Sequence, residues 1–116
     1  MKDFKRLIVW QKGFRLAIDC HKHCRKLPAK ERYELCSQLR RAAFSIPLNI
    51  AEGSAKATNA HKKIFLDNAL GSSYEVETIL LAIIEIYPNE KAQCEIFIDI
   101  CIEIQKMLTA LISKLV

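Results

Sequence analysis

The chain has 116 residues, the length of one ordinary domain, and we expect residues 1–116 to fold around a single core. Hydrophobic residues make up 51% of the sequence and charged residues 27%, which excludes a disordered chain and a membrane-embedded one. No apolar run approaches the length of a spanning helix or of a signal-peptide core. We therefore expect a cytoplasmic protein without membrane contact, whose cysteines stay reduced.

Charge is divided unevenly along the chain. Residues 1–63 contain 15 Lys and Arg against 5 Asp and Glu, whereas residues 64–116 contain 3 against 8. The formal net charge of +5 therefore combines a strongly basic half with an acidic half. A basic half of this kind suits a polyanion, or an acidic protein surface such as the acidic half of a second copy of the chain.

Glycine and proline are scarce, with three of each, so long helices are expected. Breaks are predicted at 27–29, at 53–59 and at 87–89. They divide the chain into four amphipathic segments, which predicts an all-α protein with the helix lengths of a four-helix bundle.

The first segment has an apolar side and a basic side at 100° per residue. We interpret His21 as a hydrogen-bonded core histidine and place His23 with the basic stripe. The basic stripe is the first candidate for phosphate contacts, and a merely solvated face is the alternative. The apolar side comprises Leu7, Trp10, Phe14, Ala17, Ile18, His21 and Cys24, and the basic side Lys5, Lys12, Arg15, Lys22 and Lys26.

The second segment aligns Leu35, Leu39, Ala42, Ile46 and Ile50 beside a polar stripe of Gln38, Arg41, Ser45, Asn49 and Glu52. Pro47 lies inside this pattern and predicts a kink, because proline lacks the N–H of a helical hydrogen bond. Arg40 and Arg41 leave the helix on different sides, so we expect one to pair with an acid such as Glu75 and the other to face outward. Gly53 fits a helix C-terminal cap.

The third segment, residues 60–86, has a main stripe of Phe65, Ala69, Ser72, Val76, Leu80 and Ile83, and we expect Gly71 and Ser72 to permit a close helix contact. In the fourth segment, apolar alternation over residues 96–104 is typical of a strand, but no Gly, Pro or Asn occurs from Glu90 to Val116, which favours a helix. Further apolar positions on both segments predict self-assembly. The candidate oligomer interface is Leu66, Leu70, Leu81, Ile84, Ile98 and Ile102.

Motifs for metal binding or catalysis are missing from the sequence. Cys20 and Cys24 lie one helical turn apart, but no second pair with zinc-site spacing exists. There is no phosphate-cradling glycine loop and no nucleophile elbow. We therefore expect no metal, no cofactor and no enzymatic activity.

Four blocks in order carry a resemblance over nearly the whole chain, at residues 7–12, 27–35, 37–54 and 69–78. They resemble the bacterial four-helix bundle proteins encoded in intervening sequences of 23S rRNA genes, which are related in fold to the accessory variability determinant of diversity-generating retroelements. The resemblance implies an antiparallel up-and-down bundle, a ring-like homopentamer and no known catalytic activity. For the retroelement relative it implies a basic surface that binds nucleic acid and a reverse transcriptase. The motif positions in the third block are Arg40, Arg41, Ser45, Pro47, Asn49, Glu52 and Gly53.

The function we expect is that of a non-enzymatic, oligomeric bundle that binds RNA or DNA, mainly electrostatically. The alternative is a protein-interaction scaffold, or an accessory subunit to a protein such as a reverse transcriptase, without direct nucleic-acid contact. An acidic protein partner would use the same basic residues. The candidate nucleic-acid-binding residues are Lys12, Arg15, Lys22, Lys26, Arg40 and Arg41.

Overall fold

Four helices pack side by side in the computed structural model, which describes residues 3–115. They are α1 (Ile8–His23), α2 (Leu35–Ser54), α3 (Asn59–Ile86) and α4 (Lys91–Ser113). Each helix packs against the next in sequence and α4 returns to α1, which confirms the all-α, up-and-down bundle and the helical fourth segment. The molecule measures 44 × 22 × 20 Å. Over the described range, no helix is long and apolar enough to span a membrane.

The helices end where the sequence predicts breaks. After α1 the chain forms two short 3-10 turns, Cys24–Lys26 and Ala29–Glu31. They lie on either side of Pro28, in the middle of the first predicted break. The hydroxyl of Thr58 accepts a hydrogen bond from the His61 N–H and caps the start of α3. Pro88 opens a further 3-10 turn, Pro88–Glu90, which leads into α4.

The stripes predicted for α2 and α3 form the centre of the core, which confirms both. Leu35 and Phe65, at the ends of these stripes, are half-buried. Phe97, Ile104 and Leu108 supply the α4 side. The fully buried members of the two stripes are Leu39, Ala42, Ile46 and Ile50 in α2, and Ala69, Val76, Leu80 and Ile83 in α3.

Helix α1 is rotated by about one residue from the predicted orientation. Phe14 is 38% exposed and His21 is exposed, so the predicted core side of α1 is wrong at these positions. The cause is Gly13, where an added Cβ would lie only 3.0 Å from Cγ2 of Ile46 in α2. Glycine therefore lets the two helices approach, and this contact decides which side of α1 faces the core. The buried residues of α1 are Val9, Gly13, Leu16, Ala17, Cys20 and His23.

The displaced aromatic residues of α1 form a surface cluster. The rings of Trp10 and Phe14 stack with centroids 4.9 Å apart, and Phe4 meets Trp10 edge-on at 5.2 Å. His21 lies edge-on to Phe44 of α2 at 6.2 Å. These side chains cover the outer edge of the α1–α2 seam.

Gly53 does not cap a helix, contrary to the sequence interpretation. It lies inside α2, which continues to Ser54, and its φ is not positive. An added Cβ would lie 2.9 Å from Cβ of Phe65. The residue is glycine because α3 crosses α2 closely at this point.

Gly71 also differs from expectation. The residue is exposed, and an added Cβ would meet nothing within 4 Å, so Gly71 permits no close contact. Its neighbour Ser72 does, because the Ser72 hydroxyl lies 2.7 Å from the Ser45 hydroxyl of α2.

Helix α2 continues without a break through Pro47, which is buried. Asn49 donates from its side chain to the Ser45 carbonyl at 2.8 Å. The carbonyl that Pro47 leaves without a helical donor belongs to Ala43, so this bond does not replace the missing one. The expected kink stays a prediction.

We predict opposite effects for the same substitution at two glycines. Gly53→Ala should lower the free energy of unfolding by about 1–3 kcal/mol, because the new methyl group overlaps Phe65. Gly71→Ala should raise it by about 0.5–1 kcal/mol, because alanine is the better helix former and has open space there. Urea denaturation followed by circular dichroism measures both. Equal effects at the two positions would contradict the close crossing at Gly53.

Candidate nucleic-acid interface

Three residues of the predicted basic stripe lie on the exposed face of α1 and the turn after it. Arg15, Lys22 and Lys26 are all exposed. Within residues 3–115, no carboxylate lies within 4 Å of any of the three. Their charges are therefore available to an external anion.

Lys12 lies at the seam between α1 and α4 instead. Its ammonium is 2.6 Å from the Glu103 carboxylate, and both side chains are partly exposed. The rotation of α1 explains the difference, because it moves position 12 from the outer face to this seam. An ion pair at such an exposed place contributes only about 0.2–1 kcal/mol, so its main effect here is to engage the charge of Lys12.

Arg40 and Arg41 diverge as predicted. Arg41 lies 3.7 Å from the Glu75 carboxylate, which confirms the expected pairing across the α2–α3 seam. Arg40 does not face outward, since it is half-buried and its Nε atom is buried without a hydrogen-bond partner. The two residues therefore belong to different surfaces.

Arg40 lines a cavity of about 260 Å³ between the end of α1 and the start of α2. Two further arginines line it, Arg25 and Arg32, and we call it the arginine cavity. The sequence interpretation missed both, although four basic residues at positions 25–32 around Pro28 signal a basic connection. The remaining lining residues are Cys24, Leu27, Pro28, Ala29 and Cys36.

Lys22 and Lys26 border a neighbouring groove of about 340 Å³, which includes Asp19 and His23. His23 is buried rather than part of the basic stripe, so the roles expected of His21 and His23 are exchanged by the rotation of α1. The His23 Nε2 atom lies 2.8 Å from a Glu90 carboxylate oxygen. This contact joins the end of α1 to the turn before α4.

The motif in α2 acts mainly in helix packing. Asn49 donates to the Ser45 hydroxyl at 2.9 Å, and that hydroxyl is hydrogen-bonded to Ser72 of α3. Pro47 lies beside Gly13, with its Cδ 3.8 Å from the position of an added Cβ. Glu52 is exposed. Ser45 and Pro47 are therefore explained by contacts between helices, whereas no contact explains Glu52.

All five cysteines are buried thiols. Burial raises the pKa of Cys24 and of Cys101 to about 12, and that of Cys94 to about 11, and it raises the pKa of Cys20 as well. Among the described residues, no three His, Cys, Asp or Glu side chains are grouped closely enough to hold a metal ion. The thiols thus pack as neutral apolar groups.

The six candidate interface residues are placed differently from one another. Leu66 and Ile98 belong to the core, at 1% and 9% exposure, so their assignment to an outer stripe is wrong. Helices α3 and α4 each face two neighbours, and this requires a broader buried side than one stripe provides. Leu81 is 50% exposed, while Leu70, Ile84 and Ile102 are half-buried.

The family model of the 23S rRNA-intervening sequence protein matches residues 5–110, which is most of the chain. The chain belongs to this family. The resemblance found in the sequence is thereby confirmed, and its antiparallel bundle is the fold observed. Comparison with curated proteins finds no match.

A solved relative has the same fold. It is a protein of unknown function from the S23 ribosomal protein family of Bacteroides thetaiotaomicron, and its crystal structure superposes with a TM-score of 0.81. The two sequences are 24% identical, over 90% of this chain and 98% of that chain. At this identity the likeness shows the fold alone.

We predict that its buried thiols make the protein less stable at alkaline pH than at neutral pH. The pKa of Cys101 is raised from 9.0 to about 12 in the folded chain, so the folded state keeps this proton while the unfolded state releases it above pH 9. Near pH 7 this thiol is protonated in both states and gives the stability no pH dependence, whereas stability should fall as pH rises past 9. Urea denaturation at several pH values measures the change.

The Cys101→Ala variant isolates this effect from other titrating groups. It should be less stable than the parent at pH 7, because a buried side chain is truncated. The difference should narrow by about 1–2 kcal/mol by pH 10.5, because only the parent carries the buried thiol. A constant difference would mean that the thiol ionises equally well in the folded chain.

Proposed function

We propose that the protein is a cytoplasmic, non-enzymatic bundle that binds nucleic acid through the unpaired basic face of α1. The observation that carries the proposal is the exposure of Arg15, Lys22 and Lys26 without carboxylate partners among residues 3–115. Arg15 and Lys22 lie roughly 10 Å apart along α1, and Lys26 extends this face into the turn after the helix, enough to follow several phosphates of one strand. The family is named for the 23S rRNA intervening sequence, so RNA is the first ligand to test.

The seams of the bundle also support this surface. Lys12 pairs with an acid of α4 and Arg41 with an acid of α3. The positive charges at the seams are therefore partly neutralised, whereas those on the outer face of α1 are not. The outer face of α1 has only Asp19 as an acidic neighbour within the helix. Binding to phosphates there is electrostatic and independent of base sequence, since no element of the bundle resembles a reader of base edges.

Binding should depend steeply on salt and on α1. The parent protein should bind mixed-sequence RNA and DNA in fluorescence anisotropy, with log affinity falling linearly as log salt rises from about 50 to 200 mM. Arg15→Glu/Lys22→Glu should reduce the magnitude of that slope by about 2, because two phosphate contacts are lost. Helicity should not change, since both side chains are exposed.

Lys91→Glu/Lys114→Glu is the matched control. Both of its positions are exposed and lie in the acidic half, and the change in net charge is the same. The control should keep the salt slope of the parent. An equal loss in both double variants would show that only net charge matters, and no binding even at low salt would reject the proposal in favour of the protein-interaction scaffold.

Self-assembly is the second part of the proposal, and the family resemblance suggests a homopentamer. Exposed apolar side chains on the outer surface of α3 and α4 support it. Leu81, Ile86 and Ile96 are 50–54% exposed, and Tyr74 and Ile102 line a groove between the two helices. Such side chains favour association because water is removed from them. The acidic charge of this half would also suit the basic half of another copy.

Light scattering tests the assembly. The parent should have a mass of five times the 13.3 kDa chain. Leu81→Glu should lower that mass, because a charge would be buried without a partner at the interface. Ile64→Glu, on the same helix and 53% exposed, is the control and should not. A monomeric parent at micromolar concentration would refute the assembly, and an unchanged mass for Leu81→Glu would place the interface elsewhere.

A further inference from the structure

The arginine cavity is lined by three arginines from separate parts of the chain. Arg25 belongs to the 3-10 turn after α1, Arg32 follows the second turn, and Arg40 lies in the second turn of α2. The fold therefore places three positive charges around one concave space of about 260 Å³. Neither α1 nor α2 alone would form this cluster.

These three charges have no acidic partners in the described part of the chain. Of the carboxylates in residues 3–115, none lies within 4 Å of Arg25, Arg32 or Arg40. Glu31, the nearest acid in sequence to Arg32, instead accepts a hydrogen bond from the Tyr87 hydroxyl. Like charges around one cavity repel each other, so an anion that enters it is stabilised by all three.

Arg40 provides a second, independent observation. Its Nε–H is buried and has no hydrogen-bond partner, which leaves a desolvated donor beside the cavity. A buried donor without a partner is unfavourable, and a small shift of the side chain would present it to an acceptor in the cavity. The Cys24 thiol beside the cavity supplies no negative charge, because burial raises its pKa to about 12.

We propose that the arginine cavity binds one phosphate monoester group, and that its occupant is the terminal phosphate of a nucleic-acid strand. The identity of that occupant rests on the nucleic-acid binding proposed above. A monoester carries up to two negative charges near neutral pH, whereas a diester within the backbone carries one. Guanidinium groups match the oxygens of phosphate with paired N–H donors.

The size of the cavity fits the terminal phosphate of a nucleic-acid strand. Sites for whole small-molecule ligands usually measure roughly 300–1,000 Å³, so a cavity of 260 Å³ holds a phosphate with little more than its first sugar. Lys22 and Lys26 of the basic face also lie at the end of α1, close in sequence to Arg25 of the cavity. The cavity thus recognises the end of a strand while the face of α1 binds its backbone.

The experiment compares RNA oligonucleotides of one sequence that end in a hydroxyl, a 5′-phosphate or a 3′-phosphate. Fluorescence anisotropy at fixed salt measures the affinity of each. One of the phosphorylated ends should bind about tenfold more tightly than the hydroxyl end, as expected for a charge-assisted pair of hydrogen bonds. Arg25→Gln and Arg32→Gln should remove that preference while preserving the fold, because both side chains are exposed.

Arg15→Gln is the matched control, because it removes one arginine from the face of α1 outside the cavity. It should weaken all three oligonucleotides equally and leave the preference for the phosphorylated end. If the preference is missing, or persists in Arg32→Gln, the proposed end recognition is wrong. Nucleic-acid binding would stand in that case, provided that Arg15→Gln still weakens it.

Inorganic phosphate and a nucleoside monophosphate separate failure of the cavity from failure of nucleic-acid binding. If no oligonucleotide binds, the terminal phosphate of a strand is excluded as the occupant. Thermal denaturation of the parent with either small probe then tests the cavity itself. A rise in Tm that is lost in Arg32→Gln supports a site for a free phosphate monoester or phosphate ion, and no rise overturns the site altogether.

Discussion

The contact between Gly13 and α2 determines how the first helix presents its side chains. Because α1 approaches Ile46 and Pro47 at this residue, the side of α1 that carries Leu16 and Cys20 faces the core. The opposite side, with Arg15, Lys22 and Lys26, faces solvent. Positions 90° away lie at the two seams, which is why Lys12 meets α4 while the aromatic cluster covers the border with α2. One missing side chain therefore fixes the basic face.

Charge follows the same division across the bundle. The first half of the chain is basic and the second half is acidic, so the cross-helix ion pairs take their base from the first half and their acid from the second, as in Lys12–Glu103 and Arg41–Glu75. Each pair contributes little to stability because most of these groups are partly hydrated. The arrangement gives the molecule a positive side and a negative side. Such a field turns an approaching polyanion toward α1 and away from α4.

The sequence predicted the number of helices, their breaks and the central stripes of α2 and α3, because these depend on periodicity and on Gly and Pro positions. It failed where glycine replaces an apolar side chain in the core. Gly13 adds nothing to a hydrophobic pattern, so the pattern predicts a core side of α1 that contains Trp10 and Phe14 instead. Gly53 was read as a cap for the same reason, because a close crossing with Phe65 depends on two segments at once. A cap would explain this glycine from the local sequence alone, whereas its actual cause is a tertiary contact between α2 and α3.

The candidate site was predictable where its residues follow the helical period of one segment or lie on segments expected to be adjacent. Arg15, Lys22 and Lys26 were found from their spacing on α1, and the Arg41–Glu75 pair from their positions on adjacent helices. The arginine cavity was missed because a turn, a loop and a helix contribute one residue each. Such a cluster has no period in the sequence, and only the path of the connection between α1 and α2 creates it.

That connection is fixed at both of its ends by the neighbouring loop. Tyr87 donates to Glu31 from the connection between α3 and α4, and Glu90 of the same connection meets His23 at the end of α1. The backbone that bears Arg25 and Arg32 is therefore tied in place before any ligand arrives. A ligand does not have to order this segment, so the conformational entropy lost on binding is confined to the side chains. Preorganisation of this kind would lower the entropic cost of the anion binding proposed for the cavity.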